Sequence, residues 1–318
     1  LHDDALLAEV LAGRGNTRSG VADWAGARRD LERALAIHPA ASFRPLGLAM
    51  IANTHSNEDA YDRAEPLLRE AIGEADRLGE AFAGAFARLS LGILLVERSD
   101  FDEAHACLQE AATVLASEVA PGVMQGPHLQ AVALTHLARV KQETGDTGGA
   151  LTAYHEALTL ADRAGIERAL AFAHYGLASL LLELGELRGA GEHIHLALPL
   201  IRKSCRDVEG AVVALQGSLF ALRGAHDDAE RFFRRAAALL EAHARPVFSA
   251  ALAVLRGGEP GEEFADYADV RLARRLRARF PQAQAPPPLW VTEDGSYFRL
   301  AYSVAAVSLA RRKAVEPA

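Results

Sequence analysis

One spacing recurs along this chain and limits what it can become. A small residue is followed twelve positions later by an alanine, then by a large apolar residue at plus four and a second alanine at plus seven. Ala52 leads Ala64, Leu68 and Ala71; Gly92 leads Ala104, Leu108 and Ala111; Ala138 leads Ala150, Tyr154 and Ala157. Ala178 leads Ala190, Ile194 and Ala197, and Gly217 leads Ala229, Phe233 and Ala236. Positions zero, four and seven share one face of a helix, so each copy presents an apolar stripe that only a neighbour can cover. The spacing therefore predicts units of two antiparallel helices, with small residues where the backbones cross and the Leu, Tyr, Ile or Phe filling the gap beside them.

Punctuation falls where such units require it. Gly145, Gly185 and Gly224 stand five residues before the repeat alanine, where the first helix must end, and Ser99 takes that place in another copy. Asp100, Asp146 and Asp227 follow the turn, where a short carboxylate accepts bonds from free amides of the next helix. Gly13, Gly15 and Gly20 interrupt what should be the first helix, which is expected to fray, and the stretch from Ser117 to Gly126, with Pro121 and Gly122, reads as a loop between units or a bent helix end.

The segment Ala22-Asp-Trp-Ala-Gly-Ala-Arg-Arg-Asp-Leu-Glu-Arg-Ala-Leu-Ala-Ile-His-Pro39 resembles the second helix of a tetratricopeptide repeat, with Ala27, Leu31, Ala34 and the terminating Pro39 in place. Leu91-Gly92 is similar to the Leu-Gly of that family's first helix. The resemblance covers roughly residues 1 to 245. It implies an all-α fold, a right-handed superhelix of antiparallel helix pairs in the manner of an α-solenoid. Successive repeat alanines at 27, 64, 104, 150, 190 and 229 are spaced wider than the family's roughly 34 residues, so helices or connections are extended. Longer units of this kind resemble the sensor arrays of bacterial STAND-type regulators.

The last part reads differently. An apolar segment, Pro246 to Leu255, and a basic helix around Phe264 to Phe280 precede Pro281-Gln-Ala-Gln-Ala-Pro-Pro-Pro288, an extended linker. Beyond it, two strand-like runs flank Asp294-Gly295, a hairpin signal. The expected organisation is thus a repeat domain over 1–280 with about six units, a linker over 281–288 and a small C-terminal β-hairpin over 289–318. That hairpin reads either as a cap on the last repeat or, with Val307-Ser-Leu-Ala-Arg-Arg-Lys313, as a resemblance to the opening of a winged-helix output domain. The first residue is Leu1, so a fragment of a larger regulator is expected, one that lacks a recognition helix and does not itself bind DNA.

A net charge of -8 argues against a general grip on nucleic acid. No run of apolar residues reaches the roughly 20 needed to span a bilayer, and a cytoplasmic location is the expectation. Cys107 and Cys205 are too few for a disulfide framework and read as buried, reduced thiols. None of the lysines, Lys141, Lys203 and Lys313, sits in a phosphate-binding loop, and no nucleophile elbow or kinase signature occurs. His193 and His195, two apart on a helix, point to different faces and do not form a metal pair. No catalytic residue, metal site or cofactor is expected.

What remains is the surface that first helices line by resemblance to the family, beside the small crossing residue. Carried over, the ligand-binding candidates are Asn53 and Ser56; Leu89, Ile93 and Val96; Thr135, Arg139 and Gln142; Tyr175, Ser179 and Leu182; and Ser218. The expected function is a non-catalytic protein-interaction or ligand-sensing scaffold, the signal-receiving part of a bacterial transcription regulator or, alternatively, a free-standing adaptor. Its partner would be a protein or peptide segment, another domain of the same regulator, or a small-molecule effector.

Overall fold

In the computed structural model of the chain, residues 2–21, 23–37, 42–58, 60–117, 126–204 and 209–223 are described, together with positions 225, 228, 231, 232, 235, 236 and 239. Among them run eleven helices: α1 (His2–Gly20), α2 (Trp24–Ile37), α3 (Phe43–Ser56), α4 (Tyr61–Leu78), α5 (Ala81–Glu97), α6 (Phe101–Ser117), α7 (Gly126–Glu143), α8 (Thr147–Arg163), α9 (Glu167–Leu184), α10 (Leu187–Ser204) and α11 (Glu209–Leu222). They fall into two compact units. The first comprises Leu1–Val96 and Asp100–Ala153; the second comprises Glu97–Ser99 and Tyr154–Ala318.

In the first unit α1 packs on α2, α3 on α4 and α6 on α7, with α2 also against α3; in the second α9 packs on α10 and α10 on α11. Each crossing obeys the spacing rule. At Gly92 an added Cβ would lie 2.6 Å from Leu108 Cγ and 3.5 Å from the Ala104 carbonyl, so glycine is what lets α5 and α6 close. Ala64, Ala104, Ala150 and Ala190 are all fully enclosed, as are Leu68 and Leu108, while Ile194 retains 2% exposure. Burying such a side chain contributes about 1.5–3 kcal/mol. Of the fifth copy, Gly217 and Ala236 are buried, and Ala229 and Phe233 lie outside the described residues.

α1 departs from expectation. It continues through Gly13 and Gly15 to Gly20 instead of fraying. Gly15 proves to be the small residue of a further copy, twelve before Ala27: its missing Cβ would lie 2.9 Å from Leu31 Cγ and 3.2 Å from the Ala27 carbonyl. A helical glycine costs about 1 kcal/mol, and the apolar cluster of Ala8, Leu11, Leu31, Ala34 and Ile51 more than offsets it.

The turns match their punctuation where described. Gly145 and Gly185 adopt φ of 88° and 81°, and Ser99, with φ 65°, takes the same left-handed conformation without being glycine. Gly185 N–H closes the end of α9 on Leu182 O, and Glu186 N–H on Leu181 O. Asp146 caps α8, its Oδ1 accepting from Gly149 N–H at 2.9 Å, and Asp23 caps α2 in the same way on Gly26 N–H at 3.0 Å. Two further left-handed glycines, Gly79 (φ 73°) and Gly165 (φ 67°), end second helices. Gly224 and Asp227 lie outside the described residues, as do Pro39, Cys205, most of the Ser117–Gly126 stretch and everything from 240 onward, including the linker and hairpin expected at 281–318.

The widened repeat is explained by helix length. α5 through α10 each run 17 or 18 residues. Connections within a pair are short, two residues joining α9 to α10 and three joining α5 to α6, while the eight residues between α6 and α7 add to the widest interval. Ion pairs tie helices together along the surface, as where Arg69 on α4 holds Glu103 on α6 at 2.7 Å and Arg88 on α5 holds Glu110 on α6 at 3.0 Å.

Candidate functional site

Every candidate residue lies on the first helix of a pair, and its register relative to the crossing residue decides its environment. One position after it stand Asn53 on α3, Ile93 on α5, Arg139 on α7 and Ser179 on α9, all half-buried. In α11 the same position is Ser218, fully enclosed, with its hydroxyl donating to Ala214 O at 2.9 Å. Three positions before it Thr135 and Tyr175 are half-buried, whereas Leu89 is only 2% exposed. Four positions after it Ser56 and Gln142 are half-buried, while Val96 and Leu182 are core.

Leu89, Val96, Leu182 and Ser218 are therefore corrected from ligand-facing to interior residues. The reason is visible in α5, whose residues Ala83, Gly84, Ala85, Ala87, Leu89, Ser90 and Leu91 are buried in sequence without a polar face. A helix apolar on most sides is surrounded. Thr135 also spends its hydroxyl internally, donating to Ala131 O at 2.8 Å.

At the C-terminal end of α3 the candidates sit among charges. Arg28 of α2 pairs with Glu58 at 2.5 Å and reaches Thr54 Oγ1 at 3.4 Å. Between Asn53 and Ser56, His55 is held neutral: burial lowers its pKa, and the positive charges of Arg28 and Arg63 add to the effect. On α7, Arg139 and Gln142 extend along the same helix as His128 and His136. In the first unit these positions mix hydrogen-bonding groups with the apolar Ile93; in the second, Tyr175 and Ser179 do the same.

The Cys107 thiol is pushed up to about 11, chiefly by burial, which keeps it protonated and a poor nucleophile. Asp30, 5% exposed, is bonded by Arg14 at 2.7 and 2.6 Å and paired with Arg18; the Arg14 hydrogen bonds hold its carboxyl below the usual range. Among the described residues no group of three or more His, Cys, Asp or Glu converges as a metal site.

One contact escaped sequence reasoning. His193 is half-buried and His195 exposed, in keeping with their two-residue separation, but His193 meets His174 of α9, Nδ1 to Nδ1, at 2.9 Å. The rings lie 5.1 Å apart between centroids at 35°. In the repeat register, His174 is four before Ala178 and His193 is one before Ile194.

No protein-family model matches the chain, and a search of characterised proteins finds no match. Solved structures do resemble it. Aspartyl phosphate phosphatase F from Bacillus subtilis superposes with a TM-score of 0.60 at 12% identity, over 99% of this chain and 72% of that one. A signal transduction ATPase with numerous domains from Pyrococcus horikoshii, which carries a tetratricopeptide repeat sensor, gives 0.54 at 15% identity, over 86% of this chain and 42% of that one. PilF from Pseudomonas aeruginosa gives 0.51 at 17% identity, over 72% and 90%. At such identities the likeness speaks for fold: the helix pairs are of the tetratricopeptide type. No helix among the described residues is long and apolar enough to cross a membrane.

Proposed function

We propose that the chain is a non-catalytic scaffold that receives a protein or peptide segment, or a small effector, on the faces of its first helices, as the cytoplasmic sensing part of a bacterial regulator. The observation that carries this reading is the position just after the crossing residue. In four copies it is Asn53, Ile93, Arg139 and Ser179, half-buried and chemically different each time, only Ser218 of α11 being enclosed, while the crossing itself hardly varies. Positions that packing leaves free to differ are where a repeat protein encodes recognition. Likeness to a protein bearing a tetratricopeptide sensor supports the regulatory setting. The proposal keeps 1–280 as the receiving domain, 281–288 as a linker and 289–318 as a separate tail.

The test is to screen the whole chain against a peptide array and a set of small effectors, then measure affinity for the best binder in the variants Arg139→Ala, Tyr175→Ala and Asn53→Ala. At least one variant is expected to lose about tenfold in affinity, a cost of 1.4 kcal/mol, with its melting temperature little changed. An array without binders, or affinities indifferent to all three substitutions, would overturn the assignment.

A further inference from the structure

We infer that His174 and His193 form a proton-sensitive latch across the α9–α10 pair: with one hydrogen between them the rings hold the helices together, and doubly protonated they part them.

The argument begins with a proton count. At 2.9 Å, Nδ1 to Nδ1, one ring donates its Nδ1–H and the other accepts through its Nδ1 lone pair, which obliges the acceptor to carry its own hydrogen on Nε2. A first added proton goes to the free Nε2 of the donor ring. The contact survives this step, because an imidazolium donating to a neutral imidazole is a charge-assisted bond. A second proton has only the acceptor's Nδ1 to occupy, the lone pair that made the bond. Two N–H groups and two positive charges then face each other, and the helices that carry them must separate locally.

Surroundings favour the uncharged pair. Burial pushes His174 down to about 4, with His193 adding to the shift, and lowers His193 as well, with His155 of α8 contributing. Against this act Asp162 of α8 on His174 and Glu192 of α10 on His193, both at exposed positions where water screens them. Both folded values thus lie below the unfolded histidine's 6.5, so the unfolded chain binds more protons as the pH falls. Stability from keeping the rings uncharged is fully present above 6.5 and is lost as the pH descends toward about 4, the latch itself opening only where the second proton binds.

Nothing in the fold demands histidine at these places. The equivalent positions are Leu48, in the apolar core cluster, and Leu67, packed against it, in the α3–α4 pair, and Arg88 and Cys107 in α5–α6. The chain thereby supplies its own non-titrating control, the double variant His174→Leu, His193→Leu.

Ring protons of the intact chain would be followed by NMR from pH 7.5 to 4, alongside amide exchange in α9–α10 and, as reference, α5–α6. His174 is expected to titrate well below 6.5, and protection in α9–α10 to fall about tenfold relative to α5–α6 across the window, equivalent to one pKa unit of linkage. The double leucine variant should abolish the difference. Rings that titrate independently near 6.5, or protection that falls equally in both pairs, would overturn the latch. Should the variant not fold, ring titration and exchange in the unmodified chain decide alone.

Discussion

The α5–α6 and α9–α10 pairs share a register and differ in what lies beside the crossing. Gly92 meets Leu108 in one, and Ala178 and Ile194 hold the same stations in the other. A turn away, α5–α6 places Arg88 and Cys107, with Arg88 drawn outward to Asp76 and Glu110, whereas α9–α10 places two imidazoles in contact. The crossing tolerates only a narrow range of volumes because both backbones are near. Its flank accepts hydrocarbon, guanidinium, thiol or imidazole, provided each polar atom finds a partner.

The comparison breaks first at its large residues. Leu108→Ala and Ile194→Ala should each cost about 2–5 kcal/mol in chemical denaturation, since both sites are sealed and neither can collapse fully. If one proves costly and the other neutral, the two pairs do not share a packing rule. Next comes the small residue: Gly92→Val should cost about 1–3 kcal/mol, because its Cβ would arrive 2.6 Å from Leu108 Cγ, whereas Ala178→Gly, which adds chain entropy and removes a buried methyl, should cost about 1–2 kcal/mol by the same measurement.

Capping adds a third pair, α7–α8, to the comparison and has a gentler effect. α10 starts after the Gly185 turn with no carboxylate of the Asp146 kind, so Asp146→Ala in α8 measures what α10 does without. A loss of about 1 kcal/mol in stability is expected. Smallest is the surface. The Arg69–Glu103 pair should give a double-mutant coupling below about 1 kcal/mol that fades in high salt. Its hydrogen bonds hold the Glu103 carboxyl below 4.5, so that coupling is present at neutral pH and disappears as the pH falls through the acid range, below the window in which the imidazoles act.

Much of this was legible in residue order. The twelve-residue offset located the crossings from Ala52 to Ala178, and the turn at Ser99 was placed correctly although its left-handed φ usually selects glycine. Gly15 was misread as a helix breaker because local propensity and packing gave opposite advice, and packing won. Gly79 and Gly165 went unremarked, since helix ends between units lack the fixed offset found within them. In the candidate site, Asn53, Ile93, Arg139 and Ser179 came out half-exposed, but Leu89 and Ser218 did not. Transferring family positions assumed that every first helix keeps one open face, and α5 is enclosed on most of its surface. The imidazole contact joins residues nineteen apart, invisible to any window the length of a helix turn.

Ser99 carries a final consequence. A serine held at φ 65° stands where sibling repeats place glycine, and it bears a strain of about 1 kcal/mol that glycine would relieve. An engineer seeking a hardier version would begin there, since a glycine at this turn relieves the backbone without touching any core or half-buried side chain.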